Sequence, residues 1–272
     1  NSNIGNYLLT KRAFQEDKAY FDMLDSFSYG QPASVLGIDS LKPALLYTPK
    51  DSSWSKSDLA WSCIGYNQQI SPIQMLTFYN AIANEGKMVK PMMYKGETEV
   101  INPQIASNAN IDSLQMAMVK CVNEGLGKPA QSEKVQVAGI SGGCQIYTEE
   151  DDSDGKMKTE YAVEYCGYFP ADSPKYSIIV SMNKMGLPAS GAFMAGSVFS
   201  EIVNYMVDSE KTAEAGDVTS LTDSLPNKSL NDIRFARWTE KEWLDNEYIR
   251  TLRRHLDAYL NDEQSNSHLD EY

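Results

Sequence analysis

The sequence predicts an α+β fold on three observations. Apolar residues recur at helical spacing through much of the first half of the chain. Between about residues 135 and 182 the period changes to strand-like alternation, and a helical stretch closes that section. Helices followed by an antiparallel meander and a closing helix imply a sheet packed by helices.

The elements follow in order. Residues 4–28 read as two short helices, with Ile4, Tyr7, Leu8, Phe14, Tyr20, Phe21 and Leu24 as their apolar positions, and Tyr29-Gly30-Gln31-Pro32 ends them. A loop-rich stretch runs to about Asp58. The clearest helix starts at Ser71, a capping hydroxyl before Pro72 at the first helical position, with Gln74 three residues after the cap. Leu76, Phe78, Tyr79 and Ile82 supply its buried face and Gly86 stops it. A second helix runs from about Asp112 to near Gly125, with Leu114, Met118, Val119 and Val122 inward. Val135-Gln136-Val137-Ala138, the run from Tyr161 to Tyr165, and the run from Tyr176 to Met182 are the strand candidates. Residues 191–207 form the closing helix. The expected domain division is a first domain over residues 1–208, then residues 209–272 as a linker and an amphipathic helix. In that helix Leu244, Tyr248, Leu252 and Leu256 recur every four residues.

Composition narrows the function classes. A formal net charge of −13 repels phosphate backbones, so nucleic acid is not an expected partner. No apolar run approaches the ~20 residues a membrane helix needs. The four cysteines, Cys63, Cys121, Cys144 and Cys166, form no Cys-x-x-Cys pair. The only histidines, His255 and His268, lie near the C-terminus, which leaves a His-based triad or metal site little to use.

Three stretches carry a family resemblance. Asn1-Ser2-Asn3-Ile4-Gly5 is the first. The second combines Ile64-Gly65-Tyr66, Ile70-Ser71-Pro72-Ile73-Gln74 and the run from Tyr79 to Gly86. The third runs from Glu124-Gly125-Leu126-Gly127-Lys128-Pro129-Ala130 through Val137-Ala138-Gly139-Ile140-Ser141-Gly142-Gly143-Cys144-Gln145 to Gly167-Tyr168-Phe169-Pro170-Ala171-Asp172. In order and spacing they resemble the later part of the transpeptidase domain of penicillin-binding proteins, over about residues 1–208. The resemblance implies a β-lactamase/transpeptidase-like fold, with the first strands and the nucleophile-bearing helix expected to precede residue 1.

It also implies an acyl-transfer site. In the family a Ser-x-x-Lys serine attacks a peptide or β-lactam carbonyl, a Ser-x-Asn motif assists proton transfer, and a Lys-Thr-Gly strand holds the substrate carboxylate and lines the oxyanion hole. Here the Ser-x-Asn positions fall on Asn1 and Asn3, and Lys-Thr-Gly has become Ile140-Ser141-Gly142. An aliphatic side chain cannot hold a carboxylate, and losing a charge-assisted hydrogen bond of that kind costs about 1.5–3 kcal/mol. The bland reading of Ile140 is an ordinary apolar strand residue. The Ser-x-x-Lys matches Ser53…Lys56 and Ser181…Lys184 both follow Asn3, the wrong order for a nucleophile. The expectation is a non-catalytic transpeptidase-like module, with Asn3, Ser141 and Gly143 as residual substrate contacts and no catalytic residue. The alternative is part of an active transpeptidase whose Ser-x-x-Lys half lies outside this chain. The resemblance implies no cofactor. It points to peptidoglycan peptide or another wall-synthesis protein as partner, and to a periplasmic setting with any membrane anchor before residue 1.

Two further constellations have bland readings of their own. Glu150, Asp152, Asp154 and Gly155 mimic the start of a calcium loop, but Tyr161 stands where the bidentate Glu is needed; a solvated hairpin tip is the better reading and no metal is expected. A turn near Gly155 would set Cys144 opposite Cys166, close enough in principle for a disulfide; two free buried cysteines are the better reading.

Overall fold

The structure is a computed structural model and describes residues 3–35, 42–148 and 158–214. Asn1, the acidic run at 149–155 and the predicted helix at 238–260 lie outside the described residues.

Two helices open the chain, α1 (Asn3–Ala13) and α2 (Asp17–Ser26). A two-residue strand β1 (Leu45–Leu46), a short helix α3 (Asp58–Ser62) and β2 (Gln68–Gln69) follow, with β1 and β2 paired antiparallel. Helix α4 (Pro72–Ala83) begins as its sequence requires. The Ser71 hydroxyl accepts the Gln74 N–H and the Gln74 side chain accepts the Ser71 N–H, a complete capping box with Pro at the first turn. Gly86 then takes φ +91° just past the helix end, a conformation that side chains with a Cβ resist. A small antiparallel pair, β3 (Met88–Val89) and β4 (Val100–Asn102), leads to α5 (Asn108–Asn123), which starts four residues before the expected Asp112 because Ser107 caps it.

The main sheet has the order β5 (Ala138–Thr148), β6 (Lys158–Phe169), β7 (Tyr176–Met185), all antiparallel. The expected strand at Val135–Ala138 starts only at Ala138. Ser132 Oγ accepts the N–H groups of Lys134 and Val135, which bends residues 132–135 into a turn. A π-helical turn (Gly191–Ala195), capped by Ser190, runs into the last described helix, α6 (Gly196–Glu214).

The sheet separates two apolar clusters. On one face Tyr165, Phe169, Phe199 and Val203 pack with Val122 and Ala130, all at most 1% exposed. On the other, Tyr168 and Ala138 pack with Ala81, Ile82, Met88 and Ile111 from the α4–α5 layer. This helix–sheet–helix layering is the α+β arrangement the sequence predicts.

Strand pairing corrects the cysteine expectation. Cys144 lies opposite Ala162, and Cys166 opposite Ile140. The two share a face but sit four residues apart along the ladder, roughly 13 Å at ~3.3 Å per residue and far beyond disulfide reach. All four cysteines are free. The register of β6 against β5 is shifted by four residues from the expected pairing, because sequence pattern specifies strand register weakly.

Candidate functional site

The candidate site is built on the first half of β5. Its residues Ile140, Ser141, Gly142 and Gly143 lie opposite Cys166, Tyr165, Glu164 and Val163 of β6. Side chains alternate across a strand, so Ile140, Gly142 and Cys144 share one face and Ser141 and Gly143 take the other.

The face of Ile140 has a definite charge. From Ala138 to Ile146, and across the paired residues of β6 and β7, it carries Glu160 and Glu164 and no Lys or Arg. Glu164 accepts a hydrogen bond from Ser181 Oγ at 2.7 Å and faces Gly142, which offers no side chain to cover it. Cys144 is exposed beside it; desolvation and the Glu164 carboxylate both raise its thiol pKa. Burial and the same carboxylate push the Cys166 thiol higher still. Neither sulfur is a ready thiolate at neutral pH.

The edge of β5 supplies main-chain donors. Tyr66 reaches β5, where its hydroxyl accepts the Gln145 N–H at 3.3 Å, so that N–H points away from β6. Antiparallel ladders alternate inward and outward N–H groups. The unbroken register from Ala138 to Thr148 therefore turns the N–H groups of Ser141 and Gly143 outward as well. No strand pairs beyond β5 among the described residues. From behind, Gly191 presses against the strands: a Cβ there would overlap the carbonyl oxygens of Gly142 and Glu164.

The remaining sequence candidates are placed as follows. Asn3 is exposed at the start of α1, a helix with no buried residue, and among the described residues no hydrogen bond joins it to Ser141 or Gly143. Ser181 and Lys184 are three apart on β7, so their side chains leave opposite faces, and the Lys184 ammonium donates to the Gly186 carbonyl. Ser53 accepts from the Tyr47 hydroxyl at 2.6 Å in an exposed loop outside any helix, with Lys56 also exposed. Neither pair has the one-face, one-turn geometry that Ser-x-x-Lys chemistry uses. Tyr165 and Tyr168 are fully buried core. No group of three or more His, Cys, Asp or Glu is arranged to hold a metal among the described residues, and no described helix is long and apolar enough to cross a membrane. The sequence reading overlooked Glu164, because its place beside Gly142 depends on strand register.

Comparison with known proteins agrees with this fold. The chain matches the family described as penicillin binding protein transpeptidase domain over residues 1–204. It is 28% identical to the penicillin-binding protein PbpB of Mycolicibacterium smegmatis over 76% of this chain and 34% of that protein. It is 26% identical to PbpB of Mycobacterium tuberculosis over 80% of this chain and 34% of that protein. The chain thus spans about a third of the length of the curated relatives it matches. Among solved structures, penicillin-binding protein 3 of Mycobacterium tuberculosis with ampicillin superposes with TM-score 0.62 at 25% identity, over 77% of this chain and 49% of that one. The transpeptidase domain of Burkholderia pseudomallei penicillin-binding protein 3 superposes with TM-score 0.60 at 22% identity, over 76% and 61%, and shares the fold.

Proposed function

The chain belongs to the penicillin-binding protein transpeptidase domain family, and from that premise we propose that it is a cell-wall module that binds peptidoglycan peptide along the β5 edge without acylating it. The observation that carries this reading is the charge of the Ile140 face. Where the family places a lysine to hold the substrate carboxylate, this chain has Ile140, and the same face adds Glu164 and, further along, Glu160, with no Lys or Arg among the rungs from Ala138 to Ile146. A carboxylate or β-lactam acid brought there meets repulsion in place of a charge-assisted bond. The edge keeps its binding capacity, because the outward N–H groups of Ser141 and Gly143 can pair with an extended peptide as an added strand. Asn3 is a further contact in this reading. Residues 1–208 are the transpeptidase-like part and residues 209–272 a linker and amphipathic segment. The setting is extracytoplasmic, as befits a wall-binding module, and no cofactor is required.

A second reading has one observation in its favour. Because the chain spans about a third of its curated relatives, it also fits as the later part of an active peptidoglycan D,D-transpeptidase whose Ser-x-x-Lys half lies outside this sequence. Isothermal titration of the chain with a soluble disaccharide–pentapeptide separates these ideas from a purely structural role. Binding that weakens on Gly143→Pro, which removes an edge N–H, supports the edge site. The absence of binding to the wild-type chain overturns it.

A further inference from the structure

Beyond the edge itself, the geometry points to Trp61 as a platform for a sugar ring attached to the bound peptide, an inference that rests on the wall-binding reading above. Trp61 lies in α3 and is 51% exposed, an unusual state for the largest apolar side chain. Its backbone is anchored. Its carbonyl accepts the N–H groups of Ile64 and Tyr66, at 3.3 and 3.0 Å, and its ring meets the Tyr66 ring edge-on, with centroids 5.3 Å apart. Gly65 makes the intervening turn at φ +101°.

Tyr66 fixes where this pair stands relative to the edge. Its hydroxyl occupies the Gln145 N–H, the next outward donor after Gly143 and about 7 Å further along the strand. A peptide paired with Ser141 and Gly143 therefore cannot continue as a ladder past Gln145. Its end runs toward the Trp61–Tyr66 pair, whose indole is half exposed and packed edge-on against Tyr66, leaving a flat face to stack on. A flat aromatic face suits the C–H face of a pyranose, and in peptidoglycan the peptide carries such a ring at one end. Trp61 would then select the glycan-linked form of the peptide over the free peptide.

The test compares two probes, the free pentapeptide and the soluble disaccharide–pentapeptide, by isothermal titration against wild type, Trp61→Ala and Trp61→Gln, with melting temperatures measured alongside. Wild type binding the disaccharide form about tenfold more tightly, and both variants losing that preference at unchanged melting temperature, is the expected result for one aromatic stacking contact. Two outcomes overturn the inference while leaving the edge site standing: a glycan preference that survives in both variants, or variants that weaken both probes equally, which would place the indole against the peptide. Wild type binding neither probe overturns this inference together with the reading on which it rests. The second variant guards against a local folding effect of the first.

Discussion

The two faces of the main sheet are built to different standards. On the α6 face one ring dictates its surroundings. Tyr165 lies within 2.7 Å of where a Cβ on Gly139 would stand and within 3.2 Å of the same point on Gly127 and on Gly196, and Phe199 packs on it at 4.9 Å. Glycines from the turn after α5, from β5 and from the start of α6 thus leave room for a single side chain. On the other face, the inner rungs are covered by α4 and α5, but the rungs of Gly142 and Cys144 are exposed and carry Glu164, Ser181 and Asn183. The first face stabilises the sheet by shape. The second leaves a polar, anionic strip beside an open strand edge, and this is where the family's chemistry would be expected.

The comparison breaks most easily on the packed face. Phe199→Ala should cost about 4 kcal/mol, the range for removing a buried aromatic ring, measurable by urea denaturation. Gly191→Ala should cost about 3 kcal/mol, because the new methyl meets backbone oxygens of Gly142 and Glu164 that cannot rotate aside; it should also weaken peptide binding at the β5 edge. Tyr165→Phe sharpens the picture with the opposite sign. The Tyr165 hydroxyl is buried with no hydrogen-bond partner among the described residues, so its removal should stabilise the chain by about 1 kcal/mol. In α1, Leu8→Gln, where Leu8 is 59% exposed, should stay within about 0.5 kcal/mol of wild type.

Alkaline pH gives an independent check. Burial pushes the Tyr168 phenol up to about 12, whereas an unfolded tyrosine ionises near ~10. The neutral form is favoured in the fold, so this contribution is fully present below pH ~10 and is lost as pH rises from there toward 12. Burial, and to a lesser degree Tyr20, raise Tyr29 to about 12 and add to the same trend. The melting temperature should begin to fall from about pH 9, where unfolded cysteines ionise while buried Cys166 keeps its proton, and fall more steeply above about pH 10, with a shallower fall in Tyr168→Phe.

Local chemistry made parts of this fold legible in the sequence. The capping box at Ser71 and Gln74 placed α4, and the β-branched run at 176–182 placed β7, because each signal is satisfied within a few residues. The start of β5 was misplaced because a side-chain turn at Ser132 outweighed the alternation of Val135 and Val137. Register was the larger loss. The cysteine pairing and the position of Glu164 both depend on the register of β6 against β5, which pattern alone does not specify. Ile140 was readable as a substitution, but the reversed charge around it was visible only once three strands stood side by side.

The most direct measurement is the intact mass of the 272-residue chain after incubation with excess benzylpenicillin. The account predicts an unchanged mass. A stoichiometric adduct of one whole β-lactam, mapped to a single serine, would contradict it.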